Sequence, residues 1–183
     1  FPAKYIPQIP RWAIRQFASD NSVVLDPFMG SGTSLVEGVC SVRKIYGTDI
    51  DPLARLISSA KISKYDIAPL KALASTILAA EVRDPIPCFL PMQGVQNIEH
   101  WFKPESWSEL TILYQAIDSL DCSSVEQDFF FCVFSSILRC VSNADDQTQK
   151  TYVSGTLKKY PPPVWDTFKR FLARALKGVE ELD

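Results

Sequence analysis

The chain has 183 residues, 46% of them apolar, and a formal net charge of −2. That balance supports one domain with a real core plus a smaller helical appendage, and it excludes both a disordered chain and a polyanion binder acting through whole-molecule charge. With no run of about 18 apolar residues and no basic-then-apolar leader, the expectation is a cytoplasmic protein without membrane contact.

Residues 1 to 10 carry three prolines, which favour an extended or turning entry and then release a short helix over Arg11 to Phe17. Ser22-Val23-Val24-Leu25-Asp26 reads as a buried parallel strand closed by Pro27, Gly30 and Gly32. Thr33 to Cys40 has helical spacing, and Lys44 to Asp49 supplies a second strand. A helix then opens at Pro52 with Asp51 as its cap. Strand, helix, strand and helix in about 40 residues make a βαβ unit, so the class is α/β.

Past residue 65 the strand signals stop. Leu70 to Val82 reads as helix, Asp84 to Pro91 as a proline-rich connector, and Pro104 to Leu120 and Val125 to Val141 as two further helices. Asn143 to Pro163 is the longest candidate loop. Val164 to Leu182 places Phe168, Leu172, Ala175, Leu176 and Val179 on one stripe that should dock on a core. The expected organisation is a βαβ portion over residues 1–65 and a mainly helical region over 66–183, packed as one unit.

The turn Asp26-Pro27-Phe28-Met29-Gly30-Ser31-Gly32-Thr33 carries the chemistry. Gly30 and Gly32 let backbone approach a ligand, and the N–H groups at the helix start favour its electronegative atoms. No Lys follows Gly32, which argues against a phosphate-gripping loop, and Leu35 stands where a dinucleotide fingerprint needs its third glycine. Asp49, 17 residues after Gly32, can accept both hydroxyls of a ribose, and Asp26 can face a cationic amino acid moiety. Phe28, inside the turn, should lie close to that ligand. Ile50, after Asp49, is counted with it, although core would be the usual place for both.

These residues resemble a family. The run Asp26 to Thr33 is similar to motif I of the DNA methyltransferases that methylate exocyclic amino groups, and Tyr46 to Pro52 looks like their motif II. Phe1-Pro2-Ala3-Lys4 with Pro7 looks like the segment that precedes motif I and closes over the methionine end of the cofactor. The resemblance covers about the first third of the chain. It implies a partial Rossmann-like parallel sheet of the S-adenosylmethionine-dependent type, beside the large helical region. It also implies S-adenosylmethionine as cofactor, held by Phe1, Pro2, Ala3, Asp26, Phe28, Gly30, Gly32, Thr33, Asp49 and Ile50, and DNA as the partner that adenine or cytosine comes from. Certain RNA guanine methyltransferases carry a near-identical motif I behind a different upstream segment, and a non-catalytic cofactor-binding subunit is a further alternative.

The family's catalytic Ser/Asn/Asp-Pro-Pro-aromatic motif is not in the sequence, so no catalytic residue is assigned. Tyr160-Pro161-Pro162-Pro163 has Tyr where the polar acceptor belongs. The expectation is that the motif lies beyond Asp183, with a position before Phe1 or on a partner chain as alternatives, and that this chain binds cofactor without transferring a methyl group. Cys88 follows a proline but lacks the surroundings of an attacking thiol. The five cysteines form no Cys-x-x-Cys pair and His100 is the single histidine, so no metal is expected. From Lys150 to Lys177 seven basic residues stand against Asp166 alone, and Lys150, Tyr152, Lys158 and Lys159 are the expected nucleic-acid contacts.

Overall fold

A computed structural model describes residues 5–41, 44–82, 97–145, 151–155 and 159–181. The chain divides into two compact units, Phe1–Lys64 and Tyr65–Asp183.

The first unit is built around one crossover. Strand β1 (Val23–Asp26) pairs in parallel with β2 (Lys44–Gly47), Val23 opposite Lys44 and Asp26 opposite Gly47. Helix α2 (Thr33–Cys40) makes the connection, and α1 (Gln8–Phe17) and α3 (Pro52–Ile62) both pack against it. α2 sits tightly on the sheet: a Cβ at Gly38 would stand 2.6 Å from the Ile45 side chain. Arg11 on α1 donates from Nε and Nη2 to both carboxylate oxygens of the buried Glu37 on α2, at 2.7 and 3.0 Å. This paired geometry makes the burial of a carboxylate tolerable and fixes α1 on α2.

Exposure alternates along both strands. Val24, Asp26, Ile45 and Gly47 are half-buried, whereas Val23, Leu25, Lys44 and Tyr46 are exposed. This corrects the expectation of a buried strand: among the described residues β1 alternates between exposed and half-buried positions.

The second unit is helical. It comprises α4 (Ile67–Leu78), a 3-10 turn (Ala79–Val82), α5 (Ile98–Trp101), α6 (Pro104–Asp118), α7 (Ser124–Val141) and α8 (Val164–Glu180). α4 starts three residues earlier than its apolar spacing suggests. Asp66 accepts from the Ala68 N–H at 3.1 Å, and Pro69 falls in the first turn, where its missing N–H costs no intrahelical bond. α7 starts at a complete capping box in which Ser123 and Glu126 satisfy each other's backbone N–H groups. α8 opens after a proline, and the Val164 N–H is met at 3.0 Å by Glu109 Oε2 of α6.

Leu70, Ile77, Leu110, Leu113, Ile117, Phe130, Ile137, Val141, Val164 and Phe168 are fully buried in one cluster. The apolar stripe of α8 therefore docks on a core. Phe102 and Trp107 also pack against that cluster, half-buried. No described helix is long and apolar enough to cross a membrane.

Replacing Phe168 by Ala should cost about 3–5 kcal/mol of stability, and by Leu distinctly less. Urea unfolding followed by far-ultraviolet dichroism measures both, and a loss under about 1 kcal/mol for the Ala variant would contradict this core.

Candidate functional site: a glycine turn between sheet and helix

The site lies in the first unit, where β1 hands over to α2. The chain leaves β1 at Asp26 and reaches Thr33, the first residue of α2, through two left-handed residues, Gly30 at φ 49° and Gly32 at φ 78°. Gly32 is also crowded: a Cβ there would lie 2.7 Å from Ser58 Cβ on α3. Both conformation and space therefore require glycine at 32.

Backbone bonds tie the turn to the end of β2. Thr48 N–H donates to the Asp26 carbonyl at 3.0 Å, Met29 N–H to the Thr48 carbonyl at 3.1 Å, and Gly32 N–H to the Met29 carbonyl at 2.8 Å. Asp49 completes the tie. Its Oδ2 accepts from Gly30 N–H and its Oδ1 from Asp51 N–H, each at 2.9 Å. The backbone N–H groups of Asp51 and then Gly30 hold the Asp49 carboxyl below its ordinary range. Asp49 is thus an anion at neutral pH, and each oxygen keeps acceptor capacity for another donor.

Asp26 is the second carboxylate of the site. It accepts from Phe28 N–H at 3.0 Å, from the Ser34 hydroxyl on α2, and from the Tyr5 hydroxyl at 3.3 Å. Tyr5 and Ser34 also hydrogen-bond to each other. These three side chains line a cleft of about 300 Å³ between α1 and β1, whose other walls include Ile9, Ile14, Val24 and Leu25. The cleft is apolar with a carboxylate and two hydroxyls at one end, a lining suited to an organic ligand with one polar terminus.

Of the expected cofactor residues, the structure brings Asp26, Phe28, Gly30, Gly32, Thr33, Asp49 and Ile50 to this one edge. Phe28 is 87% and Ile50 98% exposed, so neither is spent on the core. Phe1, Pro2 and Ala3 lie outside the described residues. Asp51 caps α3, its Oδ1 accepting from Leu53 N–H at 2.8 Å. Sequence reasoning missed Tyr5, Ser34 and the Arg11–Glu37 pair, because each depends on contacts between residues 8 to 29 positions apart.

The expected nucleic-acid contacts fare differently. Lys150 and Lys158 lie outside the described residues, as do Cys88 and the connector around it. Lys159 directs its ammonium inward, onto the Arg139 and Ala144 carbonyls at 2.8 and 3.0 Å. Tyr152 donates to Asp145 Oδ2 at 3.2 Å, and Asp145 N–H donates to the Tyr152 carbonyl at 2.8 Å. Both residues thus hold the loop onto the end of α7. On α8, Lys169 pairs with Glu81 and Lys177 with Glu181, so the local excess of positive charge is smaller than the sequence count implies.

Comparison with known proteins adds an independent line. A family described as DNA methylase, covering the N6 and N4 enzymes, matches residues 1–58. The chain is 34% identical over 167 residues to Type II methyltransferase M.MvaI of Kocuria varians, covering 83% of this chain and 35% of that protein. It is 36% identical over 78 residues to Type II methyltransferase M.MjaII of Methanocaldococcus jannaschii, covering 43% of this chain and 15% of that one. The chain therefore spans about a third or less of the length of these curated relatives. No solved structure matches it.

Glu37 offers a pH test of the α1–α2 clamp. The hydrogen bonds from Arg11 hold its carboxyl below the ordinary range, so its contribution to stability is complete above about pH 4.3 and is lost as pH falls through the lower folded value. Thermal melts of wild type and Glu37→Gln should differ most near neutral pH and converge in acid. A constant difference down to about pH 2 would contradict the pairing.

Proposed function

The chain belongs to the family of amino-methylating DNA methyltransferases, and from that premise we propose that its first unit binds S-adenosylmethionine for methyl transfer to the exocyclic amino group of adenine or cytosine in DNA. One observation carries this reading: a left-handed glycine turn and an ionised aspartate from the adjacent strand meet at one edge, tied by the Gly30–Asp49 bond at 2.9 Å.

The residues present fit that cofactor. Asp49 retains acceptor capacity for the two ribose hydroxyls, and the exposed Phe28 and Ile50 offer apolar surface to the adenine ring. Gly30 and Gly32 both take the left-handed conformation that favours glycine, and at Gly32 a Cβ would also collide with Ser58 of α3. Asp26, with Tyr5 and Ser34, supplies the negative end of the cleft for the amino acid's ammonium group. When bound, the cofactor supplies an electrophilic methyl group on a sulfonium. Everything these residues contribute is binding and orientation, which is where most of the rate gain from placing two reactants originates.

The two paired strands belong, in this reading, to a larger Rossmann-like parallel sheet. A two-stranded ladder four residues long, with Val23, Leu25 and Tyr46 exposed, is less than a self-sufficient sheet. The Pro-Pro motif that orients a target amine does not occur among these 183 residues, so the reading assigns that step to another segment or a partner chain. The target base must leave its stack to reach the methyl group, and Lys150 and Lys158 are the loop residues proposed to contact the DNA backbone.

Titration calorimetry with S-adenosylmethionine and S-adenosylhomocysteine tests the proposal. Both should bind wild type, and Asp49→Ala should weaken each by about tenfold or more, the equivalent of about 1.4 kcal/mol. Absence of binding by the folded wild-type protein would overturn it.

A further inference from the structure

The glycine turn is braced from behind by α3, through contacts that the cofactor reading does not use. The peptide group joining Ser31 to Gly32 is held at both ends. Its N–H donates to the Met29 carbonyl at 2.8 Å, and its carbonyl accepts from the Lys61 ammonium at 2.7 Å. The Ser31 carbonyl lies outside the ladder of α2, whose first bond runs from Val36 N–H to the Gly32 carbonyl at 3.0 Å. Ser31 is buried, so a carbonyl there without a donor would carry an unmet desolvation cost. Lys61, reaching across 30 residues of sequence, meets that need with a charged donor.

One turn earlier on the same helix, Ser58 is fully buried against Gly32. Its hydroxyl donates to the Arg55 carbonyl at 3.1 Å and lies 3.5 Å from Met29 Sδ. Ser58 and Lys61 are three residues apart, the spacing that puts two side chains on one helical face. The first presses on Gly32 and the second holds the carbonyl before it. Glycine is the residue type that most readily permits a neighbouring peptide plane to rotate, so the feature that admits the ligand also endangers the shape of the turn.

We propose that Lys61 is a positioning residue for the cofactor site: by gripping the Ser31 carbonyl it locks the Ser31–Gly32 peptide plane and so presets the backbone of the turn for its ligand. This inference rests on the cofactor reading of the turn. Its effect is preorganisation, so affinity falls when the clamp is removed although Lys61 itself touches no ligand.

The test measures S-adenosylhomocysteine affinity by calorimetry on the 183-residue chain, alongside melting temperature, for wild type, Lys61→Met and Lys61→Arg. Lys61→Met should bind about tenfold more weakly, whereas Lys61→Arg, which keeps a charged donor, should recover most of the loss. Equal affinity in wild type and Lys61→Met would overturn the positioning role and leave the cofactor reading intact; absence of binding by wild type would remove both. Should Lys61→Met fail to fold, Lys61→Arg decides, because an affinity as low as that of Asp49→Ala would exclude rescue by the donor.

Discussion

The bond from Gly30 N–H to Asp49 is the constraint around which the first unit is arranged. It joins the loop after β1 to the loop after β2, and it does so with a group that must be ionised and a residue that must be left-handed. Around it the backbone of Asp26, Met29 and Thr48 forms a short extension of the parallel ladder. The carboxylate is held mainly by fixed backbone N–H dipoles, those of Asp51 and Gly30 first, with the charge of Arg55 a smaller contribution. A lysine directly after Gly32, where Thr33 stands, would have suited the turn to phosphate instead.

A layered support follows. α2 rises from the turn and lies close on β2 because Gly38 has no side chain to hold it off. α1 is fastened to α2 by Arg11 and Glu37, and that fastening brings Tyr5 to Asp26. α3 closes the other side through Ser58 and Lys61. Each helix thus fixes one wall of the site, with a polar contact specifying what apolar packing alone leaves adjustable. The second unit is a helical cluster, with α7 and α8 packed along each other and the loop residues Tyr152 and Lys159 bonded onto the end of α7.

Much of this was legible in the sequence because the signals were local. The strand-to-glycine handover, the helix from Thr33 to Cys40 and the Asp51 cap ahead of Pro52 each depend on residues within a few positions of one another. The same locality located α6, α7 and α8 to within about two residues. Asp66 and the Ser123–Glu126 box were equally local signals, available but overshadowed by the apolar periodicity that follows them. Contacts across folded space were not legible. Lys61 reads as a surface lysine on any helical wheel, and nothing near it in sequence announces a carbonyl 30 positions upstream. The basic count over Lys150 to Lys177 could not register one such contact, since Glu81, the partner of Lys169, sits 88 residues away.

Amide nitrogen–proton correlation spectra recorded while S-adenosylhomocysteine is titrated into the isotopically labelled protein address the central claim most directly. The account predicts saturable shifts at the amides of Phe28, Gly30, Ser31, Gly32 and Ile50, with the helical unit beyond Tyr65 little changed. Shifts confined to that helical unit, or a glycine turn whose resonances do not move, would contradict it.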